Sequence, residues 1–172
     1  CLEMTQRSFE VALKKGEVGE QVVRDHLERR GWVVYKPFTP GAHCFDILCI
    51  KDKKQAIAMD VKAKSRMNKY PATGINQSHF EEYKFFSEKH LMPFWIVFVD
   101  EMQRTVYGNC ISELEKPRTV AGVEYPFVLK TSGKPVRLWP LEAMKPIASL
   151  DKTTALALSA FNQRNYEYEG AA

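Results

Sequence analysis

The chain has 172 residues, 45% of them hydrophobic and 27% charged, a length that buries one core without disulfide or metal staples. No apolar run approaches the roughly 20 residues that span a membrane, and no secretory leader opens the chain, so Cys1, Cys44, Cys49 and Cys110, which form no CxxC pair, read as reduced thiols of a cytoplasmic protein. A net charge of +4 and a pI near 8.8 are compatible with a polyanionic partner without requiring one.

Cys1, Leu2 and Glu3 ahead of Met4 read as a cloning scar, and residues 1–14 as a lead-in. From Glu17 to Arg30 the apolar residues Val18, Val22, Val23 and Leu27 recur at helical spacing, with Gly31 placed to stop the helix. Trp32 to Lys36 is a short strand, and Pro37, Pro40 and Gly41 mark a loop. Phe45 to Lys51 and Gln55 to Lys62, joined by the polar turn Lys51 to Lys54, predict a β-hairpin buried on both faces. A polar loop holding Pro71 and Gly74 follows, and the Ser78-x-x-Glu81 spacing of a capping box starts a second helix that runs to about Lys89. Phe94 to Val99 is the most apolar strand, and Asp100 to Arg104 turns it into Thr105 to Gly108. The core order is helix, three strands, helix, two strands. Beyond Lys116 the pattern weakens into an appendage: a hairpin of Tyr125 to Lys130 and Val136 to Trp139 across a Ser132-Gly133 turn, then a helix over Asp151 to Arg164 presenting Ala155, Leu158 and Phe161. Tyr166 to Ala172 reads as a frayed tail.

The anomaly is acid inside apolar strands, because an isolated buried carboxylate costs several kcal/mol (roughly) unless it is paired or bound to a metal. Asp46 sits between Phe45 and Ile47, and Asp60 between Met59 and Val61. Alternation puts Ala56, Ala58, Asp60 and Lys62 on one face of their strand, small residues followed by an acid and an amine. A salt bridge at a strand end is the plainer reading of Asp60 and Lys62. Two acids on successive antiparallel strands favour a shared cation instead, and oxygen donors suit magnesium, with manganese as a substitute. Glu20 lies three and seven residues before Val23 and Leu27, on the core side of the first helix, where it either joins the strand acids or snorkels to solvent. Glu17 lies off that stripe. Lys64, Arg66 and Lys69 follow the strand and are candidates for phosphate contacts. His43, His79, His90 and the cysteines have no zinc-ligand spacing.

Taken together, these residues resemble the PD-(D/E)XK nuclease superfamily, and within it the archaeal Holliday-junction resolvases, which open with a lysine-glycine pair and a glutamate four residues after the glycine. Lys15-Gly16-Glu17-Val18-Gly19-Glu20 matches that opening, Phe45-Asp46-Ile47-Leu48 the first strand acid, and Asp60-Val61-Lys62 the acid-x-lysine motif. Gln77 occupies the place of a glutamine near the second helix that many members carry. The likeness covers about residues 15 to 108; Phe45 stands where the superfamily's name has proline, and Asp60 is the shorter of its two allowed acids. It implies a restriction-endonuclease-like α/β fold, a mixed sheet flanked by helices, with residues 15–116 as the nuclease core and 117–172 as an α+β extension packed on it.

The resemblance implies a magnesium-dependent DNA endonuclease that hydrolyses phosphodiesters with a metal-activated water. Glu20, Asp46 and Asp60, with the Val61 carbonyl, would hold the ion. Lys62 would orient the water and offset charge rather than act as a base, and Gln77 would orient the water or a phosphate oxygen. A symmetric DNA substrate would call for a homodimer. The alternatives are a non-catalytic DNA-binding or subunit-interaction module on the same fold, or an RNA-processing nuclease.

Overall fold

A computed structural model describes residues 2–38, 43–53, 55–130 and 133–169, with side chains from Glu10 to Asn162. Helix α1 (Leu2–Arg29) is followed by strands β1 (Val33–Tyr35), β2 (Ile47–Ile50), β3 (Ile57–Ala63) and β4 (Ala72–Asn76), and by α2 (Gln77–His90). Next come β5 (Phe94–Asp100), β6 (Thr105–Cys110), the short α3 (Ile111–Leu114) and the hairpin β7 (Arg118–Val120) and β8 (Val123–Tyr125). The chain continues through β9 (Phe127–Leu129), β10 (Val136–Pro140), a 3-10 turn (Leu141–Ala143), β11 (Lys145–Ser149) and α4 (Lys152–Glu169).

The main sheet has the order β1-β2-β3-β5-β6-β11, in which the β3–β5 pair is parallel and its other pairs are antiparallel. This is the mixed sheet flanked by helices that the sequence predicts. Side-chain alternation along β5 divides the core in two. Val97 and Val99 join Val23 and Leu27 of α1, Met59 and Val61 of β3, and Leu158 of α4. Phe94, Ile96 and Phe98 join Ala58 of β3, Phe80 and Tyr83 of α2, and Leu114 of α3. The expected faces of β3 are therefore correct, as is the β2–β3 hairpin, with Ile47 opposite Met59.

Several boundaries move. The first helix begins at Leu2 rather than Glu17, so the lead-in is helical backbone, consistent with strong helix formers such as Ala12, Leu13, Lys14 and Lys15 ahead of the amphipathic stripe. The second helix begins at Gln77, without a side-chain cap. Its first N–H donates to the Pro135 carbonyl at 2.8 Å, so the neighbouring loop satisfies the helix end and the Ser78 capping box is not used.

The polar loop around Pro71 and Gly74 contains β4, which pairs with β10 along its length. A Cβ on Gly74 would lie 2.1 Å from the Arg137 carbonyl oxygen, so the two backbones approach too closely for any side chain there. The expected hairpin across residues 125–139 is β9 with β10, preceded by the unforeseen β7–β8 hairpin; Ser132 of its turn lies outside the described residues. Residues beyond Lys116 also enter the core. β11 closes the main sheet as its edge strand, where Pro146 is tolerated, and Leu150, Ala155 and Leu158 are buried against α1 and β3. Helix α4 continues to Glu169, so the expected tail is helical to that point. Cys44, Cys49 and Cys110 are free thiols, and Cys1 lies outside the described residues. Within the described residues no helix is long and apolar enough to cross a membrane.

Candidate active site

Three acids approach the same end of β3 by different routes. Asp46 stands just before β2; its N–H donates to the Met59 carbonyl at 2.9 Å, and its Oδ2 accepts the Val61 N–H at 2.7 Å. The carboxylate thus caps the neighbouring strand. Asp60 lies on the α2 face of β3, only 3% exposed. Glu20 reaches over from α1, whose approach is set by Gly19: a Cβ there would sit 2.9 Å from Ala63 Cβ and 3.8 Å from Val99 Cβ. Glycine lets the helix lie directly on the ends of β3 and β5. Glu20 is half-buried on the core side, and Glu17 is exposed, as the helical stripe predicts.

The electrostatics tie these groups together. Burial pushes the Asp46 carboxyl up to about 7, the nearby charges of Asp60 and Glu20 push the same way, and the Val61 N–H and Lys62 oppose them. Asp46 is therefore the carboxyl on which burial and the two neighbouring acids bear together. Asp60 Oδ1 accepts a hydrogen bond from Lys62 Nζ at 2.8 Å, while its Oδ2 is buried without a hydrogen bond of normal geometry among the described residues, the Tyr83 hydroxyl being the donor group that lies toward the carboxylate. Glu20 Oε2 is also buried; the Lys36 ammonium lies 2.8 Å away, an ion pair without hydrogen-bond alignment.

Two neighbours escape a reading of the sequence. Lys36, at the end of β1, pairs with Glu20 from an exposed position. Tyr83, on α2, is buried and stacks on Phe94 at 4.6 Å between ring centroids. Burial first, and then Asp60 beside it, raises the Tyr83 phenol well above its usual range. The only sequence signal for either was its place on a helix stripe or at a strand end.

The remaining candidates divide. Lys64 Nζ donates to the Gly74 carbonyl at 2.8 Å, and burial, followed by the charge of Lys62, lowers its pKa. Arg66 spends its Nε on Asp100 Oδ2 at 3.0 Å and lies over the Tyr107 ring. Both cations hold the scaffold together. Lys69 is exposed, with its ammonium over the Tyr70 ring. The Gln77 amide donates to Glu81 Oε1 at 2.9 Å, and its own Oε1 is buried without a partner among the described residues. A cavity of about 680 Å³ lined by Val22, His26, Arg29 and Ile147 contains none of the candidate acids.

Among the described residues no group of three or more His, Cys, Asp or Glu side chains stands close enough together to hold a metal ion as the side chains are placed. The three acids nevertheless offer only oxygen donors, the class that hard divalent cations take, and the charges of Asp60 and Glu20 both bear on Asp46.

Neither a protein-family model nor a curated protein matches the sequence. Among solved structures, the chain is similar to a Holliday junction resolvase, Hjc, from the archaeal hyperthermophile Archaeoglobus fulgidus, at 12% identity and a TM-score of 0.49 over 83% of this chain and 93% of that one. It is also similar to D212, a nuclease from a fusselovirus, at 12% identity and a TM-score of 0.44 over 85% of this chain and 89% of that one.

Proposed function

We propose that this chain is a divalent-cation-dependent endonuclease that hydrolyses phosphodiester bonds in DNA. One observation carries the reading: Glu20, Asp46 and Asp60 share a neighbourhood in which two buried carboxylate oxygens lack hydrogen bonds, with Lys62 2.8 Å from one of the acids. Glu20, Asp46, Asp60 and the Val61 carbonyl would hold magnesium or manganese. Such an ion, when bound, supplies positive charge to the phosphate and lowers the pKa of the attacking water.

The chain's own groups do the rest. The Val61 N–H fixes the Asp46 carboxylate and limits its rotation. Lys62, partly exposed and tethered to Asp60, orients the water and offsets negative charge gathering on the phosphate. Lys69 offers an exposed charge to the DNA backbone, a contact that gives affinity without sequence readout. Gln77 would reach the water or a phosphate oxygen only after leaving Glu81.

The test is cleavage of linear, nicked, flapped, branched and single-stranded DNA, with matched RNAs, read on denaturing gels beside a mass measurement that detects a homodimer. Magnesium or manganese should support cleavage, and calcium, with its longer bonds and looser geometry, binding with little turnover. Lys62→Ala should lose on the order of 10²- to 10³-fold in turnover, as loss of a transition-state donor does. Full activity in excess EDTA would sink the reading.

A further inference from the structure

Lys36 is the feature the proposed mechanism leaves unused. Its ammonium lies 2.8 Å from Glu20 Oε2, and the two ends of the pair differ in exposure: the lysine side chain is 47% exposed and the glutamate 16%. The pair lacks hydrogen-bond alignment, so it is held by charge. Lys36 also anchors at the end of β1, on the edge of the main sheet, rather than on the strands that carry Asp46 and Asp60. An exposed ammonium on a flexible stem can leave a carboxylate at little cost, because such pairs contribute about 0–1 kcal/mol. A divalent cation drawing on Glu20 would compete for the same oxygen.

We infer that Lys36 is a substrate-phosphate contact whose availability is set by the ion. In the ion-free protein it neutralises Glu20. When a divalent cation takes over that carboxylate, the ammonium is released at the mouth of the site, where a nucleic-acid phosphate is the anion nearest to hand. Ion binding and backbone binding then reinforce each other through one side chain. This rests on the reading of Glu20, Asp46 and Asp60 as a cation site.

Lys36→Met tests it with two binding measurements, neither of which needs turnover. Calorimetric titration with calcium should show affinity raised about two- to fivefold over wild type, since the competing ammonium is gone. Lys36→Arg, which keeps the charge, should bind calcium no tighter than wild type. Anisotropy of a short fluorescent duplex should show Lys36→Met binding several-fold more weakly in calcium, with a salt dependence shallower by about 0.9 in log–log slope, the share of one phosphate contact. In EDTA that loss should largely vanish, because the wild-type lysine is then held by Glu20. Calcium affinity that is unchanged or lower in Lys36→Met, tighter binding in Lys36→Arg, or an equal DNA-binding loss with and without calcium would each overturn the inference alone. A wild-type protein that binds no divalent cation would overturn it together with the proposed function.

Discussion

The protein buries two groups of acids on α1 and the main sheet and treats them in opposite ways. Asp100 is fully buried at the end of β5, and its carboxylate accepts bonds from the Arg66 N–H and Nε, the Gln103 N–H and the Tyr107 hydroxyl. Glu101 beside it, 3% exposed, takes Lys15 Nζ at 2.6 Å and Asn162 Nδ2 at 2.8 Å. Burial works against its ionisation, yet the bonds from Lys15, its own backbone and Asn162 hold its pKa below the usual value. Asp60 and Glu101 are buried to the same degree and each keeps one oxygen unpartnered among the described residues, but beside Asp60 the Asp46 carboxyl is pushed toward its neutral form, whereas Glu101 is held toward its ionised one. Burial of an acid is thus no sign of function. What separates the two groups is whether the surrounding donors and cations favour the ionised carboxylate over its neutral form.

The largest expected effect breaks the completed group. Asp100→Ala leaves the Arg66 N–H, the Gln103 N–H and the Tyr107 hydroxyl without their shared acceptor, and each buried donor left unpaired costs about 1–3 kcal/mol. Asp60→Asn in ion-free protein should change stability by no more than about 1 kcal/mol, because the amide oxygen can still accept from Lys62 and a repelling charge is lost. Urea unfolding of both variants in EDTA measures the contrast. Equal losses would put both groups in the same structural class.

A second effect sharpens the comparison through pH. In the unfolded chain Asp46 ionises near 3.8, and in the folded protein near 7. A raised folded pKa means the folded state holds its proton more tightly, so this group's contribution is full below pH 4 and is lost as pH rises to about 7. The span corresponds to at most about 4 kcal/mol, less whatever the neighbouring carboxylates share. Ion-free protein should therefore melt lower at pH 8 than at pH 5.5, and Asp46→Asn should flatten that slope. A melting temperature that rises over the same interval would show that Asp46 is compensated as Asp100 is.

The sequence made one of these groups legible and hid the other. Asp46 and Asp60 announce themselves because each is flanked by apolar residues in the sequence. Asp100 and Glu101 follow an equally apolar strand but read as the start of a turn, since their partners Arg66, Lys15 and Asn162 lie far along the chain. The helix stripe marks the side on which Glu20 lies, but nothing local pairs it with Lys36, and nothing in the run of basic residues separates the half-buried Lys64 and Arg66 from the exposed Lys69. Two of the strands missed, β4 and β11, carry Gly74 and Pro146, residues that argue against a strand until a close-packed partner and a sheet edge make room for them.

The smallest effect concerns how α1 serves both groups, for Lys15 reaches the completed acids and Glu20, little more than one turn later, the incomplete ones. Gly16 and Gly19 lie between them and differ in what surrounds them. A Cβ on Gly16 would meet nothing within 4 Å, so Gly16→Ala should stabilise the helix by up to about 1 kcal/mol and leave both groups in place. A Cβ on Gly19 would press on Ala63 Cβ at 2.9 Å, and that methyl belongs to a strand packed in the sheet rather than to a flexible chain end. The helix must then lift by a few tenths of an ångström, at a cost of about 1–3 kcal/mol set against the same gain in helix propensity. Net stability should fall only slightly, but the lift moves Glu20 away from the end of β3. Melting with and without calcium separates the two effects: Gly16→Ala should keep the full stabilisation by calcium, and Gly19→Ala should lose part of it. If both variants keep it alike, the close approach at Gly19 serves packing alone, and Glu20 reaches its neighbours without needing it.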